Sequence, residues 1–302
     1  MTHDQATPGA VPISFRSHRY RSACGRLELF ARIYDVANRG DKPPLLLMHG
    51  LTRNSADFEP LVEHLAPHYR LVVPDQRGRG LSDYDSDPAN YRPDIYAADM
   101  FALLDGLGVG RAGLVGTSMG GLIAMVMAVM QPDRVTSIVL NDVGPQIEAA
   151  GLARIQGYVG PMQDAASWDE AAARCAAVNA EALPDLGPQD WLSFARRTCQ
   201  KTPEGSIRFA YDPAIATSTQ GEQPATLPPD LWPLWDALAE MPVLVLRGGH
   251  SDLLAAATVT EMGRRHSGPF TACEVPGRGH APILDEPAAL MALEPFLQTW
   301  AV

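Results

Sequence analysis

Val115-Gly116-Thr117-Ser118-Met119-Gly120-Gly121-Leu122 is the stretch on which the reading of this chain turns. The apolar residues Gly113 to Val115 predict a short strand, and the run from Leu122 to Met130 predicts a helix. Between them lies Gly-x-Ser-x-Gly at a strand-to-helix turn, the context that gives the pattern meaning. So sharp a turn crowds the serine backbone, and the residues two positions away on each side must lack bulky side chains. Gly116 and Gly120 meet that demand. Ser118 is then raised above a helix start whose first N–H groups are unpaired and whose dipole end is positive. A serine hydroxyl is a weak nucleophile at neutral pH. It needs a base, and the base needs an acid to orient it. In a strand–turn–helix setting the acid and then the histidine follow the serine in the chain.

Strand and helix patterns alternate outward from this point. Gly25 to Val36 alternates in strand fashion, and Pro44 to Met48 is a continuous apolar run suited to a strand covered on both faces. A helix is predicted from about Asp57 to Leu65, then a strand over Tyr69 to Val73. Tyr96, Met100, Leu103, Leu104 and Leu107 mark a second helix. Thr136 to Leu140, Val243 to Leu246 and Thr271 to Val275 are further strands. Leu290, Leu293, Leu297 and Trp300 form a terminal helical stripe in which Pro295 predicts a kink. This order predicts an α/β fold with a mostly parallel central sheet and helices on both faces. The rhythm breaks between residues 144 and 240, which are rich in alanine, proline and aromatic residues and carry no buried-strand pattern. That stretch is read as an inserted helical cap, or lid, over the carboxyl edge of a core made of residues 1–143 and 241–302.

Bulk properties narrow the function class. The chain has 302 residues, a net charge of -11 and 46% hydrophobic residues. Its acidity argues against nucleic acid and anionic membrane as partners. Cys24, Cys175, Cys199 and Cys273 form no Cys-x-x-Cys pair and lie near no histidine at zinc-ligand spacing, so no metal is expected. Met1 to Pro12 is polar, reads as a loose arm, and has no apolar signal core, which predicts a reduced, cytoplasmic protein. No apolar run approaches the roughly 20 residues of a membrane helix. Oligomeric state stays open, a homo-oligomer included.

Strand Val243 to Leu246 leads into Arg247-Gly248-Gly249-His250-Ser251-Asp252. A carboxylate just past a strand's carboxyl end lies where ligands bind in open α/β sheets. Asp252 is therefore the favoured acid, with Asp142, at the end of the preceding strand, as its rival. Strand Thr271 to Val275 leads into Pro276-Gly277-Arg278-Gly279-His280, and His280 is the one histidine of eight placed after the last strand, where the base must lie. The backbone N–H groups of Met119 and Leu51 are the expected donors for a developing oxyanion. His49 reads as a structural residue holding the Leu51 loop. Arg53 could anchor a substrate carboxylate, against the plainer reading of a surface or capping arginine. Among the aromatic residues of the insertion, Trp191 and Trp232 are the candidates to face the cleft and favour an apolar acyl or aromatic group.

With these residues assembled, the chain resembles the α/β-hydrolase fold family, in its esterase, lipase and C–C hydrolase branch. The resemblance rests on His49-Gly50, on Asp75-Gln76-Arg77-Gly78-Arg79-Gly80-Leu81-Ser82-Asp83, on the serine turn, on Gly248 to Asp252 and on Gly279-His280, in family order over roughly residues 25–143 and 241–300. The 75–83 loop has no proposed chemistry. Arg77 and Arg79 are read as electrostatic ties within it. The resemblance implies a serine hydrolase that needs no cofactor. Its expected substrates are small to medium apolar carboxylic esters or lactones, cleaved through an acyl-enzyme. Serine at the turn departs from epoxide hydrolases and haloalkane dehalogenases, which use aspartate there, and from dienelactone hydrolases, which use cysteine. The His-Gly-Leu oxyanion loop makes bulky tertiary-alcohol esters less expected. Two alternatives stand beside the esterase: a C–C bond hydrolase of a keto-acid ring-cleavage product, and a non-catalytic ligand receptor on the same fold.

Overall fold

Apolar runs that can be covered on both faces become the middle of the sheet. The computed structural model describes residues 13–35, 42–219 and 230–300. The reading of Met1 to Pro12 as a loose arm and the end of the predicted strand at Val36 lie outside the described residues. The chain opens with β1 (Arg16–Arg21), β2 (Glu28–Tyr34) and β3 (Leu45–Met48). Helix α1 (Glu59–Leu65) leads to β4 (Leu71–Asp75), and α2 (Pro93–Gly106) to β5 (Ala112–Thr117). Helix α3 (Met119–Met130) and β6 (Val135–Asn141) complete this half. The interruption carries α4 (Ala149–Tyr158), α5 (Trp168–Asn179), α6 (Pro188–Thr198), β7 (Cys199–Lys201), β8 (Ile207–Phe209) and α7 (Ala216–Thr219). The sheet resumes after α8 (Trp232–Asp236) with β9 (Val243–Gly248), α9 (Ala256–Arg265), β10 (Phe270–Val275) and α10 (Pro287–Trp300).

Among the described residues eight strands form one sheet in the order β1-β2-β4-β3-β5-β6-β9-β10. Strands β4, β3, β5, β6, β9 and β10 run parallel, while β1 and β2 pair antiparallel at one edge. Side chains alternate between the two faces. Leu46, Leu114, Ile138, Leu140, Val243 and Val245 join one core with α2, α3, α8 and α9. Leu45, Leu47, Val115, Val139, Leu244 and Leu246 join the other with α1 and α10. Each fully buried aliphatic side chain contributes about 1.5–3 kcal/mol, so these central strands cannot change register without exposing both cores at once.

The sequence patterns meet these elements with three differences. Strand β1, Arg-Ser-His-Arg-Tyr-Arg, carries no apolar signal. It is an edge strand of which only Tyr20 is buried, and basic residues along an edge keep it from pairing with other chains. The stretch between β6 and β9 is mostly helical but also holds the two-stranded ribbon β7–β8. It has its own core of Ala171, Cys175, Leu183, Trp191 and Phe194. Within it α8 departs from the rest, because Trp235 packs into the main core and donates its indole N–H to the Met262 carbonyl.

The serine turn sets the tightest constraint in the fold. A Cβ on Gly120 would overlap the Met48 carbonyl oxygen at the end of β3, and one on Gly116 would overlap the Gly120 backbone. At Gly110, by contrast, a Cβ would meet nothing within 4 Å. Gly120→Ala is expected to cost about 3 kcal/mol or more of stability, or to prevent folding, because neither β3 nor β5 can yield without breaking the ladder. Gly110→Ala should be close to neutral. Urea unfolding of the two variants tests this, and equal midpoints would contradict the claimed close approach.

Candidate active site

The loops after five strands, β3, β5, β6, β9 and β10, meet at one cavity. Ser118 leaves β5 with φ 51° and ψ -116°, a left-handed conformation that a side-chain-bearing residue adopts only under constraint. Its N–H donates to the Asn141 carbonyl at 2.9 Å, which ties the turn to the end of β6. Residue Met119 is the first of α3, so its amide has no partner within the helix. The other expected donor is fixed through its own peptide plane. The Gly50 carbonyl accepts from His49 Nδ1 at 2.8 Å and from the Arg53 amide at 3.2 Å. In a trans peptide the N–H points opposite the carbonyl, so gripping Gly50 O aims Leu51 N–H the other way. His49 Nε2 accepts from the Gln76 amide at 3.0 Å. Burial first, with the nearby Arg79 and Arg53 charges, pushes the His49 ring down to about 3. It is therefore neutral at working pH and can act as donor at one nitrogen and acceptor at the other. This is the structural role expected of it.

Ser118 Oγ lies 2.9 Å from His280 Nε2. His280 Nδ1 lies 2.8 Å from Asp142 Oδ2, and the Asp142 carboxylate is completely buried. The expectation that Asp252 stands behind the histidine is corrected here. The reason is that each carboxylate is held by different neighbours. Asp142, also left-handed at φ 56°, turns back into the sheet edge, where it accepts from Gly248 N at 2.8 Å and Ser251 Oγ at 2.6 Å. Asp252 instead receives a forked pair from Arg154 of α4, Nε at 2.6 Å and Nη2 at 2.9 Å. That guanidinium holds the Asp252 carboxyl below the usual range. Arg154 comes from the insertion, and the sequence gives no signal of which loop it reaches.

The cavity above Ser118 encloses about 990 Å³, counting its open mouth. Leu51, Arg53, Ser118, Met119 and His280 line its floor, and Leu152, Ile155, Tyr158 and Leu183 of the insertion line the opposite wall. Arg53 thus reaches the cavity, where it stacks on Phe194 at 4.0 Å, donates to Thr198 Oγ1 at 3.0 Å and pairs with Asp57 at 3.3 Å. The two tryptophans expected in the cleft are elsewhere. Trp191 fills the insertion's own core edge-on to Phe194, and Trp232 covers the Arg265 guanidinium at 4.5 Å. Each is bulky and apolar enough to be claimed by local packing before the cleft. Among the described residues no group of three or more His, Cys, Asp or Glu side chains is placed to hold a metal ion, and no helix is long and apolar enough to cross a membrane.

The relay can pass the Ser118 proton to His280 while Asp142 steadies the charged ring. The alpha/beta hydrolase fold family matches residues 43–287. This chain belongs to that family and is a hydrolase. It is 34% identical to the 3-hydroxybutyrate-oligomer hydrolase of Cupriavidus necator, over 83% of this chain and 87% of that one. It is 31% identical to the 2-(acetamidomethylene)succinate hydrolase of Mesorhizobium japonicum, over 84% and 87%. A solved α/β hydrolase from Novosphingobium aromaticivorans superposes with a TM-score of 0.87 at 40% identity, over 97% of this chain and all of that one.

Two outcomes follow from the two carboxylates. Asp142→Asn should slow covalent labelling of Ser118 by a fluorophosphonate about 10³-fold or more, and Asp252→Asn by less than about threefold. Mass spectrometry of the labelled protein reads both, and the reverse ranking would return the role to Asp252. The Arg154–Asp252 pair also carries a pH signature. A depressed carboxylate pKa adds stability above the ordinary aspartate value of about 3.9 and loses it as pH falls through the depressed value. The difference in Tm between wild type and Arg154→Gln should therefore be full at pH 7 and shrink steadily below about pH 4.

Proposed function

We propose that this hydrolase cleaves carboxylic esters, lactones included, through an acyl-enzyme on Ser118. The observation that carries the reading is the unbroken relay of Ser118 Oγ, His280 and Asp142 at the floor of an apolar-walled cavity. His280 Nε2 takes the hydroxyl proton as Oγ attacks the carbonyl carbon. The carbonyl oxygen becomes negative and is met by the N–H groups of Met119 and Leu51. His280 returns the proton to the leaving alcohol, and water then releases the acid by the same route. The insertion acts as a cap that sets substrate size and excludes water.

Arg53 supports a narrower substrate class. Arg53 lines the cavity just past the oxyanion loop with its guanidinium held by Asp57 and Thr198, and a substrate carboxylate would compete with Asp57 for that guanidinium. The names of both relatives describe substrates derived from carboxylic acids, 3-hydroxybutyrate and succinate. The reading is therefore a hydrolase of short, carboxylate-bearing esters.

Assays with p-nitrophenyl acetate, a butyrolactone, a 3-hydroxybutyrate dimer and a vinylogous 1,5-diketone test it. Wild type should turn over the esters and leave the diketone, and Ser118→Ala should fall to background. Arg53→Gln should raise KM for the dimer about 10-fold or more and leave p-nitrophenyl acetate nearly unchanged. Turnover of the diketone alone would favour C–C cleavage, and no turnover at all the receptor reading.

A further inference from the structure

Arg79 is fully buried and carries a charge that no carboxylate balances at ion-pair distance among the described residues. Its neighbour in the loop shows how unusual that is. Arg77, equally buried, pairs with Asp85 at 2.7 Å and with Asp99 at 2.8 Å, so its charge is compensated in full. Arg79 instead donates to neutral acceptors. Nε meets the Leu51 carbonyl at 2.9 Å, and Nη1 meets the Arg77 carbonyl at 2.8 Å and the Tyr96 hydroxyl at 2.7 Å. Nη2 lies 3.4 Å from Met119 Sδ. The rings of Tyr91 and Tyr96 lie 5.6 and 4.9 Å from the guanidinium carbon and offset part of the burial cost.

A buried cation with no counter-charge is costly. Tying two loops together does not require it, since a neutral amide could donate to the same carbonyls. What distinguishes Arg79 is where its fork ends. Leu51 and Met119, which it touches with Nε and Nη2, are the two residues whose amides face the carbonyl oxygen in the proposed reaction. One guanidinium grips both halves of that site from behind.

We propose that Arg79 is a positioning residue for the oxyanion site: it holds the Leu51 carbonyl and the Met119 side chain from behind and supplies an uncompensated positive charge whose counter-ion is the oxyanion formed during turnover. The charge is unsatisfied in the resting protein and becomes satisfied in the tetrahedral intermediate, so its effect falls on the barrier and not on substrate binding. The inference rests on the ester-hydrolase reading of Ser118.

The test uses Arg79→Met, which keeps length and removes charge, Arg79→Lys, which keeps charge, and Tyr96→Phe, which removes one acceptor of the guanidinium. The readouts are kcat and KM for p-nitrophenyl acetate, the inhibition constant of a trifluoromethyl ketone that forms a tetrahedral adduct, and Tm. Arg79→Met should lower kcat roughly 10- to 100-fold, leave KM within about twofold and weaken the ketone by the same factor as kcat. Arg79→Lys should recover part of both losses, and Tyr96→Phe should lower both by about threefold. A loss of Tm with kcat and ketone affinity unchanged in Arg79→Met would reduce Arg79 to a structural tie. Should Arg79→Met fail to fold, unchanged kcat and ketone affinity in Tyr96→Phe would overturn the proposal equally. Absence of wild-type ester turnover and of fluorophosphonate labelling at Ser118 would instead defeat the ester-hydrolase reading itself, and an active wild type with an indifferent Arg79→Met defeats this inference alone.

Discussion

Two glycines that let backbone touch backbone hold the rest of the structure in place. With no side chain at Gly116 or Gly120, the first turn of α3 lies directly against the end of β3, and Ser118 is forced into its left-handed conformation. Three parts of the site are then set by backbone geometry. The hydroxyl stands above the sheet edge, the Met119 amide opens the helix beneath it, and the Gly50–Leu51 peptide lies alongside because β3 and β5 are adjacent, parallel strands. The strain at Ser118 persists because β5, β6 and α3 are among the most deeply buried elements, so no relaxation is available that keeps both cores packed.

The second constraint is electrostatic. Two aspartates follow neighbouring strands, and each finds a partner that determines what it can do. Asp142, without solvent, accepts from the Gly248 amide, the Ser251 hydroxyl and His280. Accepting from His280, it fixes the imidazole tautomer with its proton on Nδ1 and leaves Nε2 free to accept from Ser118. Asp252 is partly exposed and neutralised by a forked arginine, so little of its charge is left to act on His280. The geometry gives the first a place in the relay and the second a place in the join between insertion and core.

Much of this was legible in the residues. The serine turn, the five central apolar strands and His280 are signalled by patterns that physics makes stringent: close approach at Gly120, two-sided burial, and a base placed after the last strand. The acid is not legible because both aspartates satisfy the same positional rule. The choice depends on a backbone angle at Asp142 and on the reach of Arg154 from a distant helix, and neither leaves a periodic trace. Asn141-Asp142 did carry a weak cue, since Asn and Asp tolerate left-handed backbone better than other side chains. The placement of Trp191 and Trp232 is not legible for a different reason. The insertion forms a small core of its own that takes Trp191, while Trp232 packs against the main core and the Arg265 guanidinium. Strand β1 leaves no signal because an edge strand made of Arg, Ser, His and Tyr has no hydrophobic alternation to read.

Part of the insertion's fastening is to the loops that surround the relay. The Gly279 amide, next to His280, donates to the Ala182 carbonyl at 2.8 Å, and the Gly151 amide of α4 donates to the Asp252 carbonyl at 3.1 Å. Arg278 adds a bridge between Asp185 of the insertion and Glu286 of the core. The Arg278–Asp185 arm ends on an exposed carboxylate and is worth at most about 1 kcal/mol, but the Arg278–Glu286 arm is buried, and the two backbone bonds sit where a Cβ would collide, at Gly279 against Ala182 and at Gly151 against Asp252. Leu183, one residue from Ala182, lines the cavity, and Leu152 follows Gly151. Leu183 and Leu152, both in the cavity wall, thus sit beside the two bonds that fasten the insertion to the loop carrying His280 and to the loop after β9.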